Sequence, residues 1–197
     1  MFHQIPKKML DRLKYLEQLD NQYRTDGPYS KILWQIPEAA GKFISLMATT
    51  VPKGNYIEIG TGGGYSALWI ALACRKFKGR KLITYEIDDF KINLAKETFN
   101  VTEMTDIIEL VEGDALDSID NVKNISFCFL DIEDKSIYEE CFEIVFRNMI
   151  KGGLFIADNA ISHKFALKSM LDNIFNDKRV ASTIIPVGKG ELVCRKL

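Results

Sequence analysis

The sequence predicts an α/β protein built on a doubly wound, mostly parallel sheet of seven strands, and three observations carry that expectation. Apolar, strand-like bursts alternate with amphipathic, helix-like stretches through most of the chain, as when crossover helices cover both faces of a parallel sheet. The first burst runs directly into a glycine-rich turn and then a helical pattern, Y-I-E-I-G-T-G-G-G-Y-S-A-L-W-I-A over 56–71. The last two bursts are separated only by G-K-G at 188–190, too short for a crossover helix, so the final strands must pair antiparallel.

Element by element, two helices come first, over 8–24 and 37–50, the second opening on a proline at a position helices tolerate. Strands are expected over 56–60, 81–86, 107–111, 125–131, 153–157, 183–187 and 191–195. Helical patterns fill the gaps between the first five strands and beyond, over 66–77, 89–100, 138–149 and 164–175. No repeat, low-complexity tract or linker interrupts them. The simplest organisation is one domain over 1–197, with a helical cap over 1–50 and a ligand-binding core over 51–197.

Composition narrows the function classes. A chain of 197 residues, 47% hydrophobic and 27% charged, can bury one full core. A net charge of −1, with both signs mixed along the chain, gives no electrostatic footprint for duplex nucleic acid or an anionic membrane. The longest apolar run falls far short of the ~20 residues that span a bilayer, and M-F-H-Q-I-P-K-K lacks the apolar core of a signal peptide. A soluble, cytoplasmic protein is expected. Cys74, Cys128, Cys141 and Cys194 are widely spaced without a C-x-x-C pair and read as reduced, buried residues. His3 has no identifiable partner.

The glycine-rich turn is the first candidate site. In an open parallel sheet, ligands bind at the carboxyl ends of the strands near the switch point. Glycines at 60, 62, 63 and 64 allow a tight turn and close approach of a ligand. Counted from Gly60, the third glycine of a dinucleotide motif is replaced by Tyr65, which argues against NAD, and no phosphate-loop motif is present. The pattern is instead E-x-G-x-G-x-G over 58–64. Glu58 would repel a pyrophosphate and suits a ligand carrying an ammonium and a sulfonium. Glu86, ending L-I-T-Y-E, can accept from both hydroxyls of a ribose, and Asp114 in V-E-G-D-A is placed to accept from an adenine amino group. Any one of these acids could be a solvated surface group; three at successive strand ends beside the turn form a joint signal.

These residues resemble the class I S-adenosylmethionine-dependent methyltransferases, with their Rossmann-like sheet. More closely, the chain looks like the small O-methyltransferases that include catechol and caffeoyl-CoA O-methyltransferases. The resemblance runs from about residue 37 onward, through E-I-G-T-G-G-G-Y-S, E-G-D-A-L, F-L-D, A-D-N and I-P-V-G-K-G-E-L-V-C-R. It implies S-adenosyl-L-methionine as cofactor, with Glu58, Gly60, Gly62 and Gly64 around its methionine part and Ser66 at its carboxylate. Glu86 would meet the ribose, and Asp114 and Ala115 the adenine.

Chemistry is expected after the fourth and fifth strands, where F-C-F-L-D ends in Asp131 and L-F-I-A-D-N ends in Asp158 and Asn159. Oxygen-only ligands suit a hard cation such as Mg²⁺. The resemblance implies that these three hold a divalent metal bearing two neighbouring oxygens of the acceptor, with Asp131 also near the cofactor. The other reading of Asp158 and Asn159 is a strand-end turn capping a helix. Family members usually carry a lysine three residues after the first metal Asp; here Asp134 holds that place and Lys135 follows, so Lys135 is either a shifted catalytic lysine or a surface residue. His163, in D-N-A-I-S-H-K, has a pKa range suited to proton transfer, and is either a substrate contact or solvated.

The resemblance also implies that the N-terminal helices cover the active site and join a homodimer. Tyr23, Tyr29 and Trp34 are either an aromatic wall for a flat small-molecule acceptor or part of the core or an interface. A methyltransferase of the same fold acting on a hydroxylated tRNA base is the alternative, against which the near-neutral charge argues. A non-catalytic cofactor-binding protein is a further alternative.

Overall fold

The strand segments of this chain lie side by side in one seven-stranded sheet, ordered β3-β2-β1-β4-β5-β7-β6. The computed structural model describes residues 2–77 and 79–197, the side chain of His3 excepted. The strands are β1 (Asn55–Ile59), β2 (Leu82–Glu86), β3 (Ile108–Glu112), β4 (Ile125–Leu130), β5 (Met149–Ala157), β6 (Val180–Ile185) and β7 (Glu191–Lys196). Neighbours among β1 to β5 are parallel, whereas β7 inserts between β5 and β6 antiparallel to both. The chain winds outward from β1 to β3 and then returns to the other side of β1, which puts the switch point between β1 and β4.

Helices α1 (Lys7–Asp26), α2 (Glu38–Ala48), α3 (Tyr65–Cys74) and α4 (Asp89–Val101) contribute to one face; α5 (Tyr138–Asn148) and α6 (Lys168–Asn176) cover the other. Strand periodicity sorts the core accordingly. Tyr56, Phe127, Phe129, Leu154 and Ile156 pack toward the first group, while Ile57, Cys128, Leu130, Phe155 and Ala157 pack toward the second. All ten residues of α3 are buried, which explains why its sequence is apolar all round. It is wedged between the sheet, α1 and α2.

Strand β5 begins four residues earlier than expected and β6 covers 180–185 instead of 183–187, and two further segments depart from the expected helices. The segment between β3 and β4 holds only short 3-10 turns, Ala115–Asp117 and Ile119–Asn121, instead of a crossover helix. Asp114 caps the first of these turns by accepting a hydrogen bond from Leu116 N at 2.9 Å. The helix expected from 164 starts only at Lys168, because the preceding turns are tied to the β6–β7 hairpin, Ile161 N and Ser162 N donating to the Lys189 carbonyl at 3.2 and 3.0 Å. All four cysteines are buried and free. Among the described residues, no helix is long and apolar enough to cross a membrane.

The α2–α3 contact is the tightest helix packing to which a glycine is essential. A Cβ at Gly41 would lie 2.3 Å from the Trp69 ring, and Trp69 is itself 1% exposed. Gly-to-Ala in a helix interior ordinarily stabilises by about 1 kcal/mol. At this position overpacking reverses the sign: Gly41→Ala is expected to destabilise by about 1–3 kcal/mol, read as a lower urea midpoint at unchanged m-value.

Candidate active site

The turn after β1 is shaped by contact between two backbones. Gly60 has φ +99°, and a Cβ there would sit 2.0 Å from the Asp131 carbonyl oxygen, so only glycine lets the exits of β1 and β4 touch. Gly60 N and Thr61 N both donate to the Tyr85 carbonyl at 3.0 Å, fastening the turn to β2. Helix α3 follows with Gly64 as its N-cap, and no side chain caps it. Its first amides are therefore available to an anion, and Ser66 stands in that first turn on the cavity wall. Gly64 packs on Phe99 and is not part of the wall. Tyr65 also borders the cavity, with its hydroxyl donating to Glu17 Oε1 at 2.6 Å.

Glu58 lies beneath this turn, fully buried rather than lining the cavity. Thr84 Oγ1 donates to its Oε2 at 2.6 Å, and Thr61 extends the chain to Thr84 at 2.6 Å; Oε1 makes no hydrogen bond. Burial pushes its carboxyl up to about 8, with the nearby Ser66 and Thr84 hydroxyls pulling partly the other way. Glu86 is treated differently: Oε2 accepts from Gly62 N at 2.7 Å, and Oε1 from Ile87 N and Asp88 N at 3.0 Å each. Oε2, with a single amide donor, keeps lone-pair capacity toward the cavity that Glu86 lines. Asp114 and Ala115 form the wall beyond it.

The ends of β4 and β5 build the second half. Asp131 lines the cavity, with Lys135 Nζ 3.8 Å from its Oδ1. Lys135 opens the 3-10 turn Lys135–Ile137, which Asp134 caps by accepting from Ser136 N at 2.9 Å. From there its ammonium folds back to the Ile132 carbonyl and to the Tyr138 hydroxyl, the latter at 2.7 Å. Burial lowers the Lys135 pKa, opposed by Asp131 and Asp158. Asp158 is 1% exposed with no N–H or hydroxyl donor on either carboxylate oxygen, and burial raises its pKa. Asn159, at φ +74°, lines the cavity and donates to Ser162 Oγ at 3.2 Å; Ser162 in turn meets His163 Nδ1 at 2.9 Å. His163 is exposed at the cavity rim, its pKa lowered by partial desolvation and by Lys135 and Lys189.

Two residues of this region escape a search of strand carboxyl ends. Glu191, the first residue of β7, is fully buried with no donor from another residue type; burial, the neighbouring Asp158 and Asp131 charges and a carboxyl–carboxylate hydrogen bond with Asp158 raise its pKa. Lys189, two residues earlier, lines the cavity. The signal was the pair of charges in G-K-G-E at the start of an inverted strand.

One cavity of about 890 Å³ joins these two halves. Its outer wall comes from the segment between α1 and α2, where Tyr29 and Trp34 meet edge to face at 5.6 Å. Trp34 adopts φ +53°, a left-handed conformation unusual for a bulky residue. Buried Asp20 holds it there: Oδ1 accepts from Leu33 N and Trp34 N at 2.9 and 3.1 Å, and Oδ2 from Arg24 Nε at 2.9 Å. Arg24 then lies over the Trp34 ring at 4.7 Å. Tyr23 does not join this wall and packs on Phe90 at 5.9 Å.

The donor set suits a hard divalent cation in its chemistry. Asp131, Asp158 and Asn159 offer only oxygens, and the two buried carboxylate oxygens on Asp158, with no N–H or hydroxyl donor, are groups that a cation would satisfy. Among the described residues no three Asp, Glu, His or Cys side chains converge on a cation position. The third protein ligand would have to be the Asn159 amide oxygen.

The chain is similar to several known proteins. A catechol O-methyltransferase of Niastella koreensis is 33% identical over 126 residues, covering 61% of this chain and 56% of that protein. A provisionally named caffeoyl-CoA O-methyltransferase of Arabidopsis thaliana is 27% identical over 184 residues, covering 83% of this chain and 78% of its own. The chain thus spans about half the length of the catechol-type relative. An O-methyltransferase from Bacillus cereus, solved in complex with SAH, superposes with a TM-score of 0.79 at 23% identity, over 98% of this chain and 93% of that one. The O-methyltransferase family model matches residues 8–197, so the chain belongs to the O-methyltransferase family.

Proposed function

We propose that this protein transfers the methyl group of S-adenosylmethionine to a hydroxyl of a small aromatic vicinal diol, with a divalent cation at the acceptor end. The observation that carries this reading is the single cavity running from the glycine-rich turn and Glu86 to Asp131, Lys135 and Asn159. Donor and acceptor would share one enclosure, with the sulfonium between its halves. Membership of the family and the catechol-type relative support the same chemistry.

At the donor end, the uncapped amides of α3 with Ser66 would receive the methionine carboxylate. Glu58, buried beneath the turn, answers the cofactor's ammonium and sulfonium charge across the backbone. Glu86 would hold the ribose hydroxyls while its own orientation is set by three backbone amides. Asp114 and Ala115 would flank the adenine, where the missing crossover helix leaves the sheet edge open.

At the acceptor end, Asp131, Asp158 and Asn159 would hold the cation, which when bound supplies a lowered hydroxyl pKa and a fixed position for two adjacent oxygens. In its neutral amine form, which burial favours, Lys135 takes the hydroxyl proton as oxygen attacks the methyl carbon and the carbon–sulfur bond breaks. Tyr138 and the Ile132 carbonyl fix the lysine's position. The Trp34 wall aligns the flat ring, so most of the acceleration comes from orientation.

Product formation from S-adenosylmethionine and catechol with Mg²⁺ tests the reading directly; no methylated product from any vicinal diol would overturn it. In calorimetry on protein saturated with S-adenosylhomocysteine, Mg²⁺ is expected to titrate one site that Asp158→Ala abolishes. Lys135→Ala is expected to lower kcat by roughly 10²–10⁴ with a small change in KM, and an unchanged kcat would remove it from proton transfer.

Glu58 also gives a stability signature. Its folded pKa of about 8 lies above the model-peptide value of 4.5, so its contribution is fully present below about pH 4.5 and lost as pH rises through 8. The cofactor-free protein is therefore expected to lose thermal stability between about pH 5 and 9, and Glu58→Gln to flatten that slope. Equal slopes in the two proteins would show that Glu58 ionises freely.

A further inference from the structure

Of the three lysines lining the cavity, Lys91 pairs with Glu133 at 2.6 Å and Lys135 with Asp131 at 3.8 Å. Lys189 makes no ion pair with a described residue within 4.0 Å. Its ammonium makes one hydrogen bond among the described residues, a long contact of 3.4 Å to the Trp34 carbonyl, and lies 6.0 Å from the centre of the Trp34 ring. A cation therefore stands beside the aromatic wall with most of its hydrogen-bonding capacity unused.

The backbone holds it there. Gly188 and Gly190 have φ +59° and +95°, and a Cβ on Gly190 would come within 2.4 Å of Ile161. On the other side a Cβ on Gly188 would press on Pro37 and Ala40 at 3.3 Å. The Lys189 carbonyl accepts from Ile161 N and Ser162 N, and the Gly190 carbonyl accepts from Ala160 N at 2.8 Å. Squeezed between the start of α2 and the loop after β5, the hairpin tip is fixed relative to Asn159 and to Trp34, so its lysine is presented rather than free to sweep solvent.

We propose that Lys189 anchors an anionic substituent of the acceptor, making the preferred substrate a flat aromatic ring that carries both vicinal hydroxyls and a carboxylate. This rests on reading the cavity as a methyl-transfer site. The hydroxyls address Asp131 and Lys135, the ring lies along Trp34, and the carboxylate takes a charge-assisted hydrogen bond from Lys189. Arg24 does not compete for that anion, because Asp20 already holds it.

The test compares two acceptors of nearly equal shape, 3,4-dihydroxybenzoate and 3,4-dihydroxybenzamide, on the full chain with S-adenosylmethionine and Mg²⁺. The wild type is expected to favour the acid by about tenfold or more in kcat/KM, Lys189→Met to erase that preference, and Lys189→Arg to restore most of it. Equal kcat/KM for acid and amide in the wild type would overturn the proposal while leaving methyl transfer intact. So would a Lys189→Met variant that slows both acceptors alike, since the lysine would then serve only the buried carboxylates. Calorimetry of both compounds on protein saturated with S-adenosylhomocysteine separates the two readings. Tighter binding of the acid that depends on Lys189 supports the anchor even where turnover is not seen, whereas no binding of either compound overturns the anchor and leaves methyl transfer to be judged on other vicinal diols. A preference for RNA carrying a hydroxylated base that disappears in Lys189→Met would overturn the small aromatic acid in favour of a phosphate-bearing acceptor.

Discussion

The arrangement of this protein depends on keeping carboxyl groups out of water at one edge of a sheet. Glu58, Asp158 and Glu191 are essentially inaccessible and together leave five carboxyl oxygens with no N–H or hydroxyl donor, Asp158 and Glu191 having only each other, with Asp131 beside them. A folded chain does not ordinarily leave such groups unanswered, since each orphaned acceptor costs on the order of 1–3 kcal/mol. The edge is therefore built for cations. Lysines 135 and 189 approach it from two loops, and the cofactor sulfonium and a divalent metal are the charges the proposed reaction brings. The glycine turn, the uncapped helix and the strained Trp34 segment are the parts that admit them.

Much of this was legible because parallel strands advertise their ligand edge. Every strand from β1 to β5 ends there, so an acid placed at the end of an apolar burst falls at the site whatever the intervening helices do. Glu86, Asp114 and Asp131 were found on that rule and line one cavity; Glu58 and Asp158 were found on it too, but burial sets them behind its surface. Glycine and turn chemistry also fixed the antiparallel close of the sheet, since three residues cannot hold a crossover.

The same rule hid Lys189 and Glu191. Strand β7 runs opposite to its neighbours, so its beginning, not its end, reaches the ligand edge. Pairing of Leu192 with Ala157 then sets Glu191 alongside Asp158, a proximity that no spacing along the chain expresses. Lys135 posed the converse difficulty: its offset from the family position is a matter of one residue in sequence, and a 3-10 turn capped by Asp134 returns the ammonium to within 3.8 Å of Asp131. The late start of α6 had a similar origin, because hydrogen bonds to the hairpin tip override local helix propensity in the loop after β5.

Trp34 carries a consequence for how ligands are told apart. Its left-handed backbone is held by a buried aspartate that bonds two successive amides, and by an arginine stacked on its ring. The strain is therefore borne when the chain folds, by groups that no ligand touches. In the proposed reaction an acceptor would meet a wall already in shape, with little loop ordering left to charge against binding. Among molecules that can enter at all, encounter rates will differ little, and discrimination falls on how long each one stays: selection by residence time rather than by closure.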